Sequence, residues 1–292
     1  MGNLTAGSFP LFRIAGIQVY LHWTWLLIAY FEIVNRANRY QSMAWNIIEY
    51  LALFGIVLLH EFGHALACRQ VGGQANRIML WPLGGVAFVQ PPPRPGALLW
   101  SIAAGPFVNV ALVPITVMAY LFARTAGWAI TYPDCVHLLF SIAAINVGLL
   151  IFNLLPIYPL DGGQMLQAVL WFFIGQARSL MVAGILGLLG AAGVIVLALV
   201  RLEDRWLALV AFFVAWQAWR GFRLGTRLQQ MQPSLDSLNQ GAAALRAGKH
   251  EEAVALFTKV IEGGEPGALA AALTNRGLAE SCRGQWQRAL ED

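Results

Sequence analysis

The chain has 292 residues, 58% hydrophobic and only 12% charged, with a formal net charge of +4 and a mean hydropathy of +0.61. Soluble domains carry about 25% charged residues, so the composition excludes an ordinary soluble globular protein and points to the membrane. Residues 1–230 hold 13 Arg and no Lys against 7 Asp/Glu, while 231–292 hold 6 Lys/Arg against 8 Asp/Glu. The basic excess therefore belongs to Arg flanking apolar runs. It forms no stripe with interleaved aromatics, and no nucleic-acid partner is expected.

Residues 1–18 lead in without a basic segment ahead of an apolar core, so no signal peptide is expected. Gly2, with Thr5 and Ala6 after it, is a poor myristoylation match. Ile14–Tyr20 reads as a short strand or an interfacial segment. Trp23 and Trp25 mark a membrane interface. A first span is predicted over about Tyr20–Val34, then a loop Asn35–Ser42, then a second span over about Ala44–Arg69. Gly72 and Gly73 end that helix. Arg77–Val89 reads as two short strands turning about Gly84-Gly85, and Pro91–Pro95 is a stiff spacer.

The third span is predicted over Leu98–Ala123, with Gly105-Pro106 near its start. The fourth covers Cys135–Leu155 and breaks at Pro156–Gly163. Gln164–Ile174 is helical but too short to span. The fifth span covers Leu180–Val200, rich in Gly and Ala, as close helix packing demands. After Arg201–Arg205 a sixth covers Trp206–Phe222. Residues 231–292 form a separate unit. Ala247–Phe257 resembles the segment from Arg283, with Ala253 and Ala289 36 positions apart, near the tetratricopeptide period. The chain stops within the second copy, so this tail is expected to be an incomplete repeat segment, one that a protein partner could dock on.

The expected fold is thus an α-helical polytopic membrane protein with six transmembrane helices and a membrane-associated β-hairpin, followed by a small all-α repeat tail. Arg placement sets the orientation. With the N-terminus cytoplasmic, Arg13, Arg69, Arg77, Arg94, Arg178, Arg220, Arg223 and Arg227 lie inside, against Arg36, Arg39, Arg124, Arg201 and Arg205 outside. Both termini are expected on the cytoplasmic side of the cell membrane.

The chemistry sits in the second span. His60-Glu61-Phe62-Gly63-His64 is an H-E-x-x-H pattern in an otherwise apolar run. Positions i and i+4 share one helix face, so His60 and His64 can hold one Zn²⁺, with Glu61 beside them as general base. Ionisable groups at such a place mark a functional site by default; the bland alternative is a polar helix interface. A catalytic zinc needs a third protein ligand and one open position. Spans two and four run in the same direction, and span four ends just before Asp161. Asp161 therefore lies at the depth of His60 and His64, whereas Glu32, Glu49, Asp134, Glu203 and Asp204 lie toward the outer side. Asp161 is the expected third ligand, though Asp-Gly is also a turn dipeptide. Cys68, one turn beyond His64, reads as a buried structural thiol, and with Cys135 and Cys282 it has no metal spacing. His22 reads as a headgroup or packing residue.

The motif His60–His64, followed two spans later by Asn153, Pro156, Asp161 and Gly162, resembles the site-2 protease family of intramembrane zinc metalloproteases. Gly105-Pro106 with Asn109, and the hairpin from Pro82, match it too. The resemblance covers about residues 14–225. It implies His60, His64 and Asp161 as zinc ligands, Glu61 as catalytic base, and Asn153 as partner of the scissile carbonyl. Asn109 is a weaker candidate for the same area, and Asn146 reads as an interhelical contact. The implied function is hydrolysis of peptide bonds within or beside a transmembrane segment of a membrane-protein substrate. The alternative is a non-proteolytic membrane scaffold recruiting partners through the tail.

Overall fold

The computed structural model describes residues 7–35, 38–81, 84–202 and 205–291. The myristoylation positions Gly2, Thr5 and Ala6, the loop residue Arg36, the hairpin residues Pro82 and Leu83, and the acids Glu203 and Asp204 lie outside the described residues. The chain divides into two compact units, Met1–Gly221 and Phe222–Asp292.

The first unit opens with strands, not with a span. β1 (Ser8–Ile14) and β2 (Ile17–His22) pair antiparallel about Ala15-Gly16, both at positive φ (49° and 73°). Positive φ at both central residues is the hairpin geometry whose twist matches the strands. Pro10 has no amide to give to a ladder, and the register shifts between Pro10 and Phe12.

α1 (Thr24–Asn35) follows, then α2 (Met43–Gln70), capped by the Ser42 hydroxyl accepting from the Ala44 amide. β3 (Gln74–Trp81) and β4 (Gly84–Gln90) complete a four-stranded sheet in the order β1-β2-β3-β4. β2 and β3 run parallel, Gln18–Leu21 against Arg77–Leu80, so the expected hairpin is half of a sheet closed across α1 and α2. The register pairs Trp81 with Gly84 and Leu80 with Gly85. The two glycines are strand residues.

α3 (Pro95–Thr125), the short α4 (Trp128–Thr131), α5 (Pro133–Leu154), α6 (Asp161–Ile174) and α7 (Gln176–Leu197) come next. α7 runs into a π-helical turn, Ala198–Leu202, and α8 covers Arg205–Arg246. Among the described residues four helices are long and apolar enough to cross a membrane: Met43–Gln70, Pro95–Thr125, Pro133–Leu154 and Gln176–Val200.

The predicted first span is shorter than expected. Residues 17–22 belong to β2, and the 12 residues of α1 reach about 18 Å at 1.5 Å per residue, against a hydrocarbon core of about 30 Å. The predicted sixth falls in the first turns of α8 and is not among the four; Gln217 and Arg220 interrupt its apolar run.

One face of α2 packs on the sheet. Val57, Ala65 and Cys68 join Ile17, Val19, Ile78 and Leu80 in one buried cluster. Cys68 is fully buried, with its thiol 3.6 Å from the Gln74 carbonyl, a structural position. His22 stacks on Trp81 with ring centroids 4.6 Å apart, a packing role. Large apolar side chains such as Ile115, Met118, Phe122, Phe173 and Leu189 are exposed along the helices. Lipid is the solvent that suits them, and a helix satisfies its own backbone there.

The second unit is helical: the end of α8, then α9 (His250–Glu262), α10 (Pro266–Cys282) and α11 (Trp286–Glu291). Phe257 and Ala253 are fully buried, clustered with Ala244 and Ala279. Gly241 leaves room for the Phe257 ring, which a Cβ there would meet at 2.7 Å.

Candidate metal centre

Four of the five sequence-predicted site residues converge. His60 and His64 sit one turn apart on α2 and are 3% and 5% exposed. Their Nε2 atoms are 3.0 Å apart. Asp161, the first residue of α6, brings Oδ2 to 3.0 Å from His60 Nε2 and 3.4 Å from His64 Nε2. His60, Glu61 and His64 themselves place their ligand atoms within 4.8 Å of one another. Asn153, in the last turn of α5, is half-buried, and no described hydrogen bond ties it to this cluster.

The backs of the rings decide what the cluster can hold. His64 Nδ1 lies 2.9 Å from the Ser101 carbonyl. A carbonyl only accepts, so Nδ1 carries a proton, and in the neutral imidazole Nε2 carries the lone pair. His60 Nδ1 lies 2.5 Å from Asn109 Oδ1, which fixes the same tautomer. The buried Asp161 Oδ2 has no hydrogen-bond donor. With both rings neutral, three electron pairs point at one small volume, an arrangement that suits a cation. Ligands 2.0–2.2 Å from a tetrahedral zinc stand roughly 3.3–3.5 Å apart, and the observed 3.0, 3.0 and 3.4 Å are within a few tenths of an ångström of that. Two imidazoles and a carboxylate are a zinc donor set.

Local sequence explains the geometry. Pro106 has no amide for the Ile102 carbonyl one turn back, so α3 opens there, beside the Ser101 carbonyl that accepts from His64. Gly105 lets α3 come up to the two rings: a Cβ there would lie 2.8 Å from His60 Nε2 and closer still to the His64 ring. Gly63 does the same from α2, where a Cβ would meet the Ala104 carbonyl oxygen at 2.7 Å. Leu160, Asp161 and the two glycines after it fold back on the preceding loop, with Leu160 N donating to the Ile157 carbonyl at 2.8 Å. A Cβ at Gly163 has no space against the Tyr158 backbone.

Glu61 stays within 4.8 Å of the imidazole nitrogens and also reaches the sheet. Its Oε2 accepts from the Ala87 amide of β4 at 2.8 Å. β4 ends the sheet, so its free edge runs beside the candidate base. The Ala87 amide, the Ser101 carbonyl, Gly105 as a spacer and the Asn109–His60 contact were not among the sequence expectations. Gly105-Pro106 in an apolar helix was the available signal.

Replacing Gly105 by Ala is expected to weaken zinc binding tenfold or more. The added methyl meets His60, and that ring is held from behind by Asn109, so it cannot retreat. Chelator competition on the purified variant measures this.

The comparisons agree with the geometry. The model of Peptidase family M50 matches residues 48–131 and 125–197, and the chain belongs to that family. It is similar to a zinc metalloprotease of Methanocaldococcus jannaschii, 34% identical over 182 residues, covering 62% of this chain and 50% of that protein. It is similar to the stage IV sporulation protein FB of Bacillus subtilis, 33% identical over 122 residues, covering 40% of this chain and 38% of that protein. The chain thus spans about half or less of these curated relatives. The solved site-2 protease of Methanocaldococcus jannaschii superposes with a TM-score of 0.53 at 28% identity, covering 74% of this chain and 95% of that one.

Proposed function

We propose that the chain is an intramembrane zinc endopeptidase that hydrolyses peptide bonds within or next to a transmembrane segment of membrane-protein substrates, the chemistry of regulated intramembrane proteolysis. The observation that carries the reading is the convergence of three metal-ligating atoms, His60 Nε2, His64 Nε2 and Asp161 Oδ2, beside Glu61 on a membrane-spanning helix.

His60, His64 and Asp161 are the proposed ligands. Bound zinc supplies Lewis acidity and a water acidic enough to lose its proton near neutral pH. Glu61 would serve as general base toward that water and hand the proton to the leaving amine. Asn153 is proposed to donate to the developing oxyanion, a contact of about 3 kcal/mol in comparable sites. The substrate enters extended, as a strand added to the free edge of β4. The Ala87 amide on that edge already touches Glu61, which sets the substrate backbone next to the base.

The reading extends to the rest of the chain. α1 and the start of α8 are proposed as further membrane-embedded segments, for six in all, in the cell membrane with both termini cytoplasmic; the Arg distribution supports this. The second unit is proposed to be tetratricopeptide-like and to bind a protein partner. Its helix-turn-helix order and the buried Ala253 support that.

The test uses the purified chain and a model transmembrane substrate in detergent. Cleavage is expected to stop on adding 1,10-phenanthroline and to return with stoichiometric Zn²⁺. Cleavage that continues at full rate after the protein has been shown to be zinc-free sinks the proposal.

A further inference from the structure

Behind His60 lies a buried polar chain that the hydrolytic chemistry above does not use. Asn109 on α3 and Asn146 on α5 are both 0% exposed, with Gly105, Pro106 and Ala143 as the buried positions within four residues of them on their own helices. Asn146 Nδ2 lies 3.1 Å from the backbone carbonyl of Asn109. Asn146 Oδ1 lies 2.7 Å from Asn109 Nδ2, and Asn109 Oδ1 lies 2.5 Å from His60 Nδ1.

The direction of this chain is fixed from one end. The Asn109 backbone carbonyl can only accept, so the Asn146 amide must turn its NH₂ toward it. That leaves Asn146 Oδ1 as an acceptor, and Asn109 must turn its own NH₂ toward Asn146. Asn109 then presents only Oδ1 to His60, and His60 Nδ1 must carry the proton. In the neutral ring Nε2 then holds the lone pair, 3.0 Å from Asp161 Oδ2 where a metal ion would be shared. Had Asn109 been free to flip, its NH₂ would face Nδ1, the proton would move to Nε2, and His60 could not bind a metal.

His64 needs no such chain, because a backbone carbonyl, that of Ser101, already sits behind it. The corresponding carbonyl for His60 is two side chains further off, and the two asparagines bridge the gap. We infer that Asn109 and Asn146 are positioning residues that transmit the polarity of a backbone carbonyl to His60, locking it in the tautomer that binds zinc. Outer-shell partners of metal-bound histidines are worth 10–100-fold in affinity, and a buried network works as a unit only when every member is satisfied. This inference rests on the metal reading.

The experiment measures zinc affinity, not turnover, on the purified full chain by chelator competition, together with the visible spectrum of Co²⁺ bound in place of zinc. Asn109→Leu, with the same branching and no polar atoms, is expected to bind zinc 10–100-fold more weakly and to shift the Co²⁺ bands. Asn109→Asp keeps an acceptor behind Nδ1 and is expected to stay within a few-fold of the parent chain. Asn146→Leu frees Asn109 to flip and is expected to fall between them. Asn109→Ala stands in should the Leu variant fail to fold. A helix-packing role alone would make Leu and Asp equally harmful or equally harmless, and either outcome overturns the inference. Failure of the parent chain itself to bind zinc would overturn the metal reading, a different result in the same assay.

Discussion

Replacing Glu61 by Gln is expected to abolish cleavage while zinc stays bound. General-base catalysis contributes about 10²–10⁴-fold, and a carboxamide cannot take the proton from water. The substitution is otherwise quiet. Gln keeps an oxygen that can accept from the Ala87 amide, as Glu61 Oε2 does at 2.8 Å. It also leaves Asp161 and both imidazoles untouched. Turnover per bound zinc is therefore the quantity that falls, measured by cleavage of a model transmembrane substrate alongside metal analysis. The same pair of measurements separates a protease from a membrane scaffold that holds zinc for shape. In the scaffold the parent chain and the Gln variant would be equally inert toward every substrate tried.

Asp161→Ala is expected to fail in the opposite way, by losing the metal. Removing the carboxylate leaves two neutral imidazoles, and the buried Oδ2 that had no donor is gone. Two ligands hold zinc far more weakly than three, and a loss beyond 100-fold in affinity is expected, larger than the loss of an outer-shell partner. Zinc content after gel filtration checks it. Activity should follow occupancy, so excess Zn²⁺ restores part of the rate in Asp161→Ala and none in Glu61→Gln. Equal zinc content in Asp161→Ala and the parent chain would remove Asp161 from the ligand set.

The site was legible where helical spacing or depth could be counted. His60 and His64 are i and i+4, and the alternation of spans placed Asp161 level with them, where it is found 3.0 Å from His60. Side-chain partners on other helices were not legible. Asn109 and Asn146 are 37 residues apart on helices whose relative rotation no single sequence reveals, so Asn109 read as a weaker candidate beside Asn153 and Asn146 as an interhelical contact, with the link to His60 unseen.

The sheet was half legible for a related reason. β3 and β4 adjoin in sequence, but the partner of β3 on its other side is β2, reached only across α1 and α2. The apolar run from Tyr20 conceals the change from strand to helix at Thr24, and so the first span read too long. Gly84 and Gly85 carried a turn signal, but the Trp81–Gly84 pairing puts both in a strand.

The open edge of β4 also bears on how a helix could be cut where water is scarce. Unwinding a transmembrane helix strips hydrogen bonds that lipid cannot replace, at about 1–3 kcal/mol for each group left bare. An edge strand offers backbone groups that can take over those bonds. When the two meet, helix bonds are exchanged for ladder bonds and the number of satisfied amides hardly changes. The free-energy cost of opening the substrate is then set by side-chain fit and chain entropy, and helix-weakening residues such as Gly and Pro in a transmembrane segment would decide which proteins are opened at this edge.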